Sequence, residues 1–567
     1  MKKVWYADFE TTQPDENNCV EVYLWAIVSG KRVSTGRDIE SFIEWCKKRN
    51  KDILYFHNLK FDFSYIQYYL IKHDIPCKVL EKKGTIYSAK FFNIELRDSL
   101  NFMPMSLKEV GENYCFQFKK TSIDYNVTKG HIATDEEIEY CINDCKVLEE
   151  GLTNYLSTIE EILEGAGAYN SADKVKRKLT NAGIAFEAFK EMSNFDRLCP
   201  KTTQTEYGLF KSAYKGGFVY SNPKGIVEDV MMIDCNSMYP YMYSTIEMPF
   251  GKGFVVNDIS SLDKYKFYII KINIKYELKE GYVAIIGGGV GKYGNTTYKS
   301  SSNGEFEELT ISNKDFELIK EFYDIEFQFL WGVGWETKPE FFKKYADTFI
   351  AVKNANKGIK RAVAKVLLNS PYGKTAMNGL NEIKRYLIDE KTKSVKSEVI
   401  GYEIDDEVFQ YLPIAIAITA SARYYLLTTA LKIGFENVYY MDTDSIKFKN
   451  KETGIPYDPD ILGAWKNEGH CQLFKTIAPK KYVYWGVEEN GKIDETIHYT
   501  CAGFNKSVLS AEMYHCKNVS REFAIELMNM FDKGLELSCL QSKLVEGGRA
   551  LIPVKKQIKW GDLWILK

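Results

Sequence analysis

Strand-like and helical patterns of apolar and polar positions alternate over roughly the first 165 residues. "KVWYADFETT", "VYLWAIV", "ILYFHN" and "TIYSAKFFNIELRDSL" have the short β-branched and aromatic runs of strands. "DIESFIEWCKKR", "FDFSYIQYYLIKH" and "TDEEIEYCINDCKVLEEGLTNYLSTIEEILE" read as helices. Such alternation predicts an α/β domain. The polar, Lys-rich "YNSADKVKRKLTNAG" that follows reads as a linker.

From about Ser212 the texture changes. "SAYKGGFVYSNPKG" is a glycine-bearing loop, and "VEDVMMIDCNSMYP" is a buried strand that ends on an acid. Residues 255–340 mix strands with Gly-rich turns and predict a separate β-rich unit. Residues 341–370 read as two helical segments, and "KRYLIDEKTKSVKSEVIGYEI" as a hairpin turning near Lys391–Ser394. A helix over 413–433 then leads into "VYYMDTDSIKF", where an apolar strand runs into Asp442 and Asp444. Two carboxylates one residue apart on half-buried backbone fit a hairpin tip or a bound divalent cation. No period marks internal repeats. No apolar run reads as long enough to span a bilayer, since Thr, Ser and Arg interrupt "LPIAIAITASARYY".

Composition narrows the classes. A chain of 567 residues exceeds one core and implies about three to five domains or subdomains. A net charge of −2 excludes a globally basic chain, so contact with nucleic acid would need local positive stripes. Aromatic residues reach 14%, enough for large cores or for surfaces on which bases stack. The 12 cysteines form no CxxC pair, which points to reduced thiols and away from zinc. "MKKVWYADFE" has no signal-peptide h-region. The expectation is a soluble intracellular protein.

The candidate chemistry lies in carboxylates. Asp8 and Glu10 stand two apart on a predicted strand, hence on one face. Asp62 begins a helix, and Asp144 lies four residues after Tyr140 on another. Each acid alone is more simply a strand end or a solvated side chain. The ordered set predicts a two-metal cage for phosphodiester hydrolysis, with Tyr140 orienting the attacking water. Asp234 likewise ends the apolar run "VMMID". If its strand neighbours that of Asp442 and Asp444, the three carboxylates converge and can hold two Mg²⁺ or Mn²⁺ for in-line displacement at phosphorus. Lys353, Lys357, Arg361 and Lys365 recur every four residues, the spacing of one helix face, with no acid from 353 to 365. Such a stripe would neutralise a triphosphate. Tyr372 could stack on a base and Tyr239 press on a sugar, excluding a 2′-hydroxyl. Lys480 and Tyr482 in "PKKYVYW", the glycines of "AYKGGF" and the basic "GGRALIPVKKQIKW" are weaker signals for nucleic acid.

The motifs in this order resemble a known family. "DFETT", "NLKFD" and "YCIND" are similar to the three exonuclease motifs of proofreading DNA polymerases. "DCNSMYP", "KVLLNSPYG", "DTDS" and "KKY" are similar to the polymerase motifs of family B. The likeness is greatest to the protein-primed branch that replicates small phages with linear genomes. The early Asp8 leaves no room for the N-terminal domain of larger relatives, "YKGG" matches the branch's linking motif, and extra segments stand where it carries two insertions.

The resemblance implies an RNase H-like 3′–5′ exonuclease domain followed by a right-hand polymerase of palm, fingers and thumb. Its boundaries would be exonuclease 1–170, YxGG linker and first palm segment 171–245, and first insertion, contacting a terminal protein, 246–340. Fingers would span 341–376, the second insertion 377–408, the second palm segment 409–514 and the thumb 515–567. Asp8, Glu10, Asp62 and Asp144 would hold the exonuclease metals, with Tyr140 and Lys120 assisting. Asn58, Phe61, Tyr65, Ser106 and Leu107 would grip single-stranded ends. Asp234 and Asp444 would hold the polymerase metals, with Asp442 in support and the Cys235 carbonyl as a further ligand. Tyr239, Lys353, Lys365 and Tyr372 would bind the incoming dNTP. Lys480 and Tyr482 would hold the primer, Tyr214, Gly216 and Gly217 the template, and Arg361 would touch DNA.

The implied activity is proofreading DNA synthesis from a terminal-protein hydroxyl, processive and strand-displacing, by a monomer in the host cytoplasm. Partners would be primer-template and single-stranded DNA, dNTPs and a terminal protein, with no membrane. Ser122, Arg361 and Pro371 depart from the family's usual acid, Lys and aliphatic residue. A DNA-primed family B enzyme and a decayed nucleic-acid-binding scaffold are the rival readings.

Overall fold

Three parallel strands, Val4–Thr11, Asp52–Phe56 and Ile94–Asp98, form the centre of a seven-stranded sheet. Val22–Ser29 and Arg32–Gly36 extend it antiparallel on one side, Thr85–Phe91 and Lys78–Lys82 on the other. The central strands read as nearly continuous apolar runs because helices cover both faces. Ala7 and Phe9 join a core with helices Ile39–Lys47 and Leu59–Lys72. Tyr6 joins the opposite core, built on helix Asp135–Gly165. Side chains alternate along a strand, so Asp8 and Glu10 share the face of Tyr6 and look toward that helix. The computed structural model describes residues 3–123, 127–222, 225–290, 296–489, 491–502, 518–530 and 535–558. Parts of the expected units 409–514 and 515–567 therefore lie outside the described residues.

Two expectations for this region need correction. "TIYSAKFFNIELRDSL" is two strands, Thr85–Phe91 and Ile94–Asp98, because the chain reverses at Phe92, whose φ is 45°. "YNSADKVKRKLTNAG" is no linker: it folds into short helical turns that bury Ser171, Ala172 and Val175 and then enters helix Asn181–Ser193. Its lysines stay at the rim while small apolar residues fill the core.

A second seven-stranded sheet runs Lys492–Cys501, Lys481–Glu489, Trp465–Ala478, Ile226–Cys235, Ser445–Lys449, Val438–Asp442, Val219–Ser221. Every described pairing in it is antiparallel. Helix Leu412–Ile433 packs beside it. By length and composition that helix could cross a membrane, contrary to the sequence reading, yet 72% of its most apolar window is buried inside the protein. Two of its interrupting residues are also satisfied internally: Thr419 donates to the Ala415 carbonyl at 3.0 Å, and Arg423 pairs with Asp315.

Residues 254–335 supply a four-stranded sheet ordered Phe254–Val256, Tyr323–Trp335, Phe267–Leu278, Glu307–Ser312, with helix Asn313–Phe322 packed on it. Helices Lys343–Ala355 and Gly358–Asn369 pack together as a pair. Their boundary at Asn356–Lys357 corrects the single cationic helix face expected for Lys353 to Lys365. Strands Leu380–Ile388 and Val395–Ile404 form the expected hairpin. A last hairpin, Leu535–Val545 with Gly548–Ile558, returns to the first domain, where Val545 and Ala550 enter its core.

Candidate functional site

The first cluster sits at the end of the first sheet. Asp8, Glu10, Asp62, Lys120, Tyr140 and Asp144 line one cavity of about 300 Å³. Glu10, Asp62, Tyr140 and Asp144 are buried. Burial raises the pKa of Asp8, Glu10 and Asp62, and the neighbouring carboxylates raise them further. Lys120 pairs with Asp144 and lies 5.1 Å from the Tyr140 ring centre. Burial raises Asp144 as well, opposed by Lys120 and by a hydrogen bond with Tyr140. Asp144 Oδ1 remains buried with no hydrogen-bond partner among the described residues.

Four crowded acids with one paired lysine and an unmet buried oxygen form a donor set for hard cations. The Cys141 thiol lies within 4.8 Å of the Asp8 and Glu10 carboxylates. It donates to the Asp8 carbonyl at 3.5 Å, and burial keeps it protonated, so the ligands on offer are oxygens.

Around this cavity the expected strand-binding residues divide. Asn58 heads helix Leu59–Lys72 in a left-handed conformation with its side chain exposed, and Phe61 is half-buried beside it. Both line the cavity. Ser106 borders an adjacent recess with His57, Asn58 and Leu100, but its hydroxyl also caps helix Leu107–Tyr114. Leu107 lines neither recess. Tyr65 corrects expectation: it is 2% exposed, and its hydroxyl donates to the Arg549 carbonyl at 2.6 Å. The C-terminal hairpin covers it, so the ring is not free to meet a strand.

Sequence reasoning missed Asp98. It ends strand Ile94–Asp98, accepts from the Asn58 and Leu100 N–H groups, and adds to the charge around Asp62. Burial pushes its pKa up to about 6. The apolar run ending on an acid was present in "IELRD", hidden inside what looked like one long strand.

The second cluster forms where strand Ile226–Cys235 pairs with Ser445–Lys449, setting Ser445 opposite Asp234. The Cys235 N–H donates to the Asp444 carbonyl at 2.7 Å, clamping the two acid-bearing segments together. Burial and then Asp444 push the Asp234 pKa up to about 7. Burial and then Asp442 raise Asp444. Asp442 lies beside them with Lys480 Nζ donating to both its oxygens at 3.0 Å. Asp234 and Asp444 stay raised although Lys447, with Lys466 beside the first and Lys480 beside the second, opposes the shift. The Cys235 thiol donates to the Gly463 carbonyl at 3.3 Å, which leaves only its backbone to contribute toward the cluster.

The helical pair brings three of the four expected cations together by a different route. Arg361 donates to the Lys353 carbonyl at 2.8 Å. Burial, then Arg361 and Lys365, lower the Lys353 pKa. Its ammonium lies 3.4 Å from Asn236 Oδ1, two residues past Asp234. Tyr239 and Tyr372 stack with ring centres 4.3 Å apart, near Asp444 and Tyr214. Tyr482 lies in the neighbouring strand with its ring 4.8 Å from the buried ammonium of Lys447, a cation the sequence reading passed over.

The "YKGG" loop meets the turn directly. Gly217 passes against Thr443, and the Thr443 N–H donates to the Phe218 carbonyl at 2.9 Å. Arg423 holds the loop from behind, donating to the Lys215 carbonyl at 2.6 Å and the Gly216 carbonyl at 3.0 Å while it pairs with Asp315. Against the upward push of burial, Arg423 and Lys215 keep Asp315 below the ordinary carboxylate range. A cation in the middle of an apolar helix was the available signal for this clamp.

The sequence model for organellar and viral type B DNA polymerases matches residues 43–134 and 127–453. The DNA polymerase of Bacillus phage phi29 is 28% identical over 538 residues, covering 87% of this chain and 89% of the relative. That of Streptococcus phage Cp-1 is 25% identical over 534 residues, covering 86% and 89%. The phi29 DNA polymerase structure with primer-template DNA and incoming nucleotide aligns at a TM-score of 0.84 and 25% identity, covering 99% of this chain and 100% of that one. The same polymerase with single-stranded DNA aligns at 0.80 over the same shares.

Proposed function

Because the chain belongs to the type B DNA polymerases of organelles and viruses and is a DNA-directed DNA polymerase, we propose that its two carboxylate clusters are separate phosphoryl-transfer centres. One extends a primer and the other removes its 3′ end. The observation that carries this reading is the pair of crowded acid sets, at Asp234/Asp444 and at Asp8/Glu10/Asp62/Asp144, whose carboxyls burial and neighbouring carboxylates hold above the ordinary range despite the lysines around them.

In the first centre Asp234 and Asp444 would hold two divalent ions, Mg²⁺ or Mn²⁺, which would lower the pKa of the attacking 3′-hydroxyl and neutralise the departing pyrophosphate. Lys353 and Lys365 would steady the triphosphate from the helical pair. The Tyr239–Tyr372 stack would seat the nucleotide base and sugar. Asp442 would act through Lys480, fixing that lysine toward the primer end, with Tyr482 beside it. Tyr214, Gly216 and Gly217 would lay the template against the Thr443 turn, and Arg361 would stand by the DNA. In the second centre Asp8, Glu10, Asp62 and Asp144 would hold the metal pair, while Tyr140 orients the attacking water and Lys120 balances charge on Asp144.

The phi29 relative's complexes with primer-template DNA, nucleotide and single-stranded DNA support the same partners for this chain. Priming from a terminal-protein hydroxyl, with the 246–340 unit as its contact and the 377–408 hairpin closing around DNA, extends the reading. A monomer acting in the host cytoplasm fits it. Primer extension and single-strand degradation, run side by side with Mg²⁺, test it. Asp444→Ala should abolish nucleotide incorporation and spare degradation, and Asp8→Ala should do the reverse. Loss of both activities in either variant refutes two independent centres.

A further inference from the structure

The C-terminal hairpin turns at Glu546–Gly548, and that turn is seated on the first domain by shape. The Val20 N–H donates to the Glu546 carbonyl at 3.0 Å. A Cβ on Gly547 would stand 2.1 Å from the Val20 carbonyl oxygen, and one on Gly548 would stand 2.4 Å from the Tyr65 ring. Only residues without a side chain allow this approach. With the Tyr65 hydroxyl bonded to the Arg549 carbonyl, the next residues are carried to the rim of the carboxylate cavity, which Arg549, Ala550 and Leu551 line together with Asp8, Asp62 and Asp144.

Arg549 is half-buried there and forms no ion pair among the described residues. Its Nη1 reaches only the Ser542 carbonyl and hydroxyl oxygens, each at 3.3 Å. Its Nε is buried with no hydrogen-bond partner. A guanidinium keeps its charge at any working pH and binds phosphate oxygens through a planar fork. A cation with an unmet donor that shares a cavity with four acids and pairs with none of them is placed for an anionic ligand entering between.

The geometry points to Arg549 as a binding residue for the phosphodiester backbone of a single DNA strand whose end enters this cavity. The C-terminal hairpin would thereby complete a site otherwise built by the first domain. This inference rests on the reading of that cavity as the strand-degrading centre. Arg549 would offset the repulsion between the strand and the acids, so its loss should weaken strand binding.

The test is equilibrium binding of a 5′-labelled oligothymidylate to the full chain carrying Asp8→Ala, which prevents consumption of the strand, across a salt series. Adding Arg549→Gln should weaken binding by about tenfold at low salt. It should also flatten the slope of log affinity against log salt by about 0.7, one phosphate contact on a single strand. Arg549→Lys should restore part of both. Unchanged affinity overturns the inference, and so does a loss with an unchanged salt slope, which would mean only that the hairpin has shifted. If Arg549→Gln behaves as expected while the wild-type chain shows no Mg²⁺-dependent degradation, the exonuclease reading fails and the strand-binding role stands.

Discussion

A Cβ placed on Gly217 would stand 2.3 Å from the Oγ1 of Thr443. Thr443 has φ 58° and lies between Asp442 and Asp444, so the turn that aims both acids is pressed against the "YKGG" loop. Gly217→Ala should force the turn aside at an overpacking cost of about 1–3 kcal/mol. We expect primer extension to fall while single-strand degradation at the distant cavity persists. Thr443→Gly in the same chain should restore much of the extension, and failure of that rescue would show that Gly217 matters for another reason.

Metal-free stability should fall as pH rises. Asp234 is pushed up to about 7 and Asp98 up to about 6, both by burial first, and Asp8 is raised by burial and by Asp144. A carboxyl whose folded pKa lies above its unfolded value, near 4, contributes stability that is complete below about pH 4 and disappears as pH climbs through the folded value. In EDTA the melting temperature should therefore drop between about pH 4 and 7, and Asp234→Asn should flatten that drop. Adding Mg²⁺ at pH 8 should recover it, since cations replace the missing protons. A profile unaffected by Asp234→Asn would count against the crowded-acid account.

Glu81 accepts from Lys384 Nζ at 3.1 Å and from the Tyr386 hydroxyl at 2.7 Å, tying the 380–404 hairpin to the first domain. Both partners of the ion pair are largely shielded from solvent. Glu81→Ala should loosen this clasp. On a primed circular template we expect shorter products under strand displacement, with addition of a single nucleotide unaltered. Equal product lengths would remove this contact from any role in processivity.

The Tyr239–Tyr372 stack offers a steric test of sugar selection. Tyr239→Val deletes the ring beside the expected sugar position and should raise ribonucleotide incorporation relative to dNTP by about 10–100-fold. Tyr239→Phe keeps the ring and should leave the ratio near wild type. Single-nucleotide incorporation kinetics with both substrates distinguish the two outcomes.

Asp234, Asp442 and Asp444 were legible because an apolar run that ends on an acid is a local conflict, one that a protein resolves with a counter-charge. Asp98 carried the same conflict and escaped notice, since the reversal at Phe92 left no strong turn signal in "KFFNIE". The helical pair was half legible. Spacing grouped Lys353, Arg361 and Lys365, but the break at Asn356–Lys357 means that packing of one helix on another, and not one helix face, brings them together.

Within the sequence alone lay the type of most elements, the order of the acids and the cations without acidic neighbours. Backbone sterics and side-chain periodicity act over a few residues and leave their mark there. Tertiary structure decided which charges meet. Lys480 settles on Asp442 and not on Asp444, Arg423 reaches back to Asp315, and Tyr65 is covered by a residue 484 positions away in the chain. Those choices depend on how whole sheets and hairpins fill space against one another, and no local pattern encodes that.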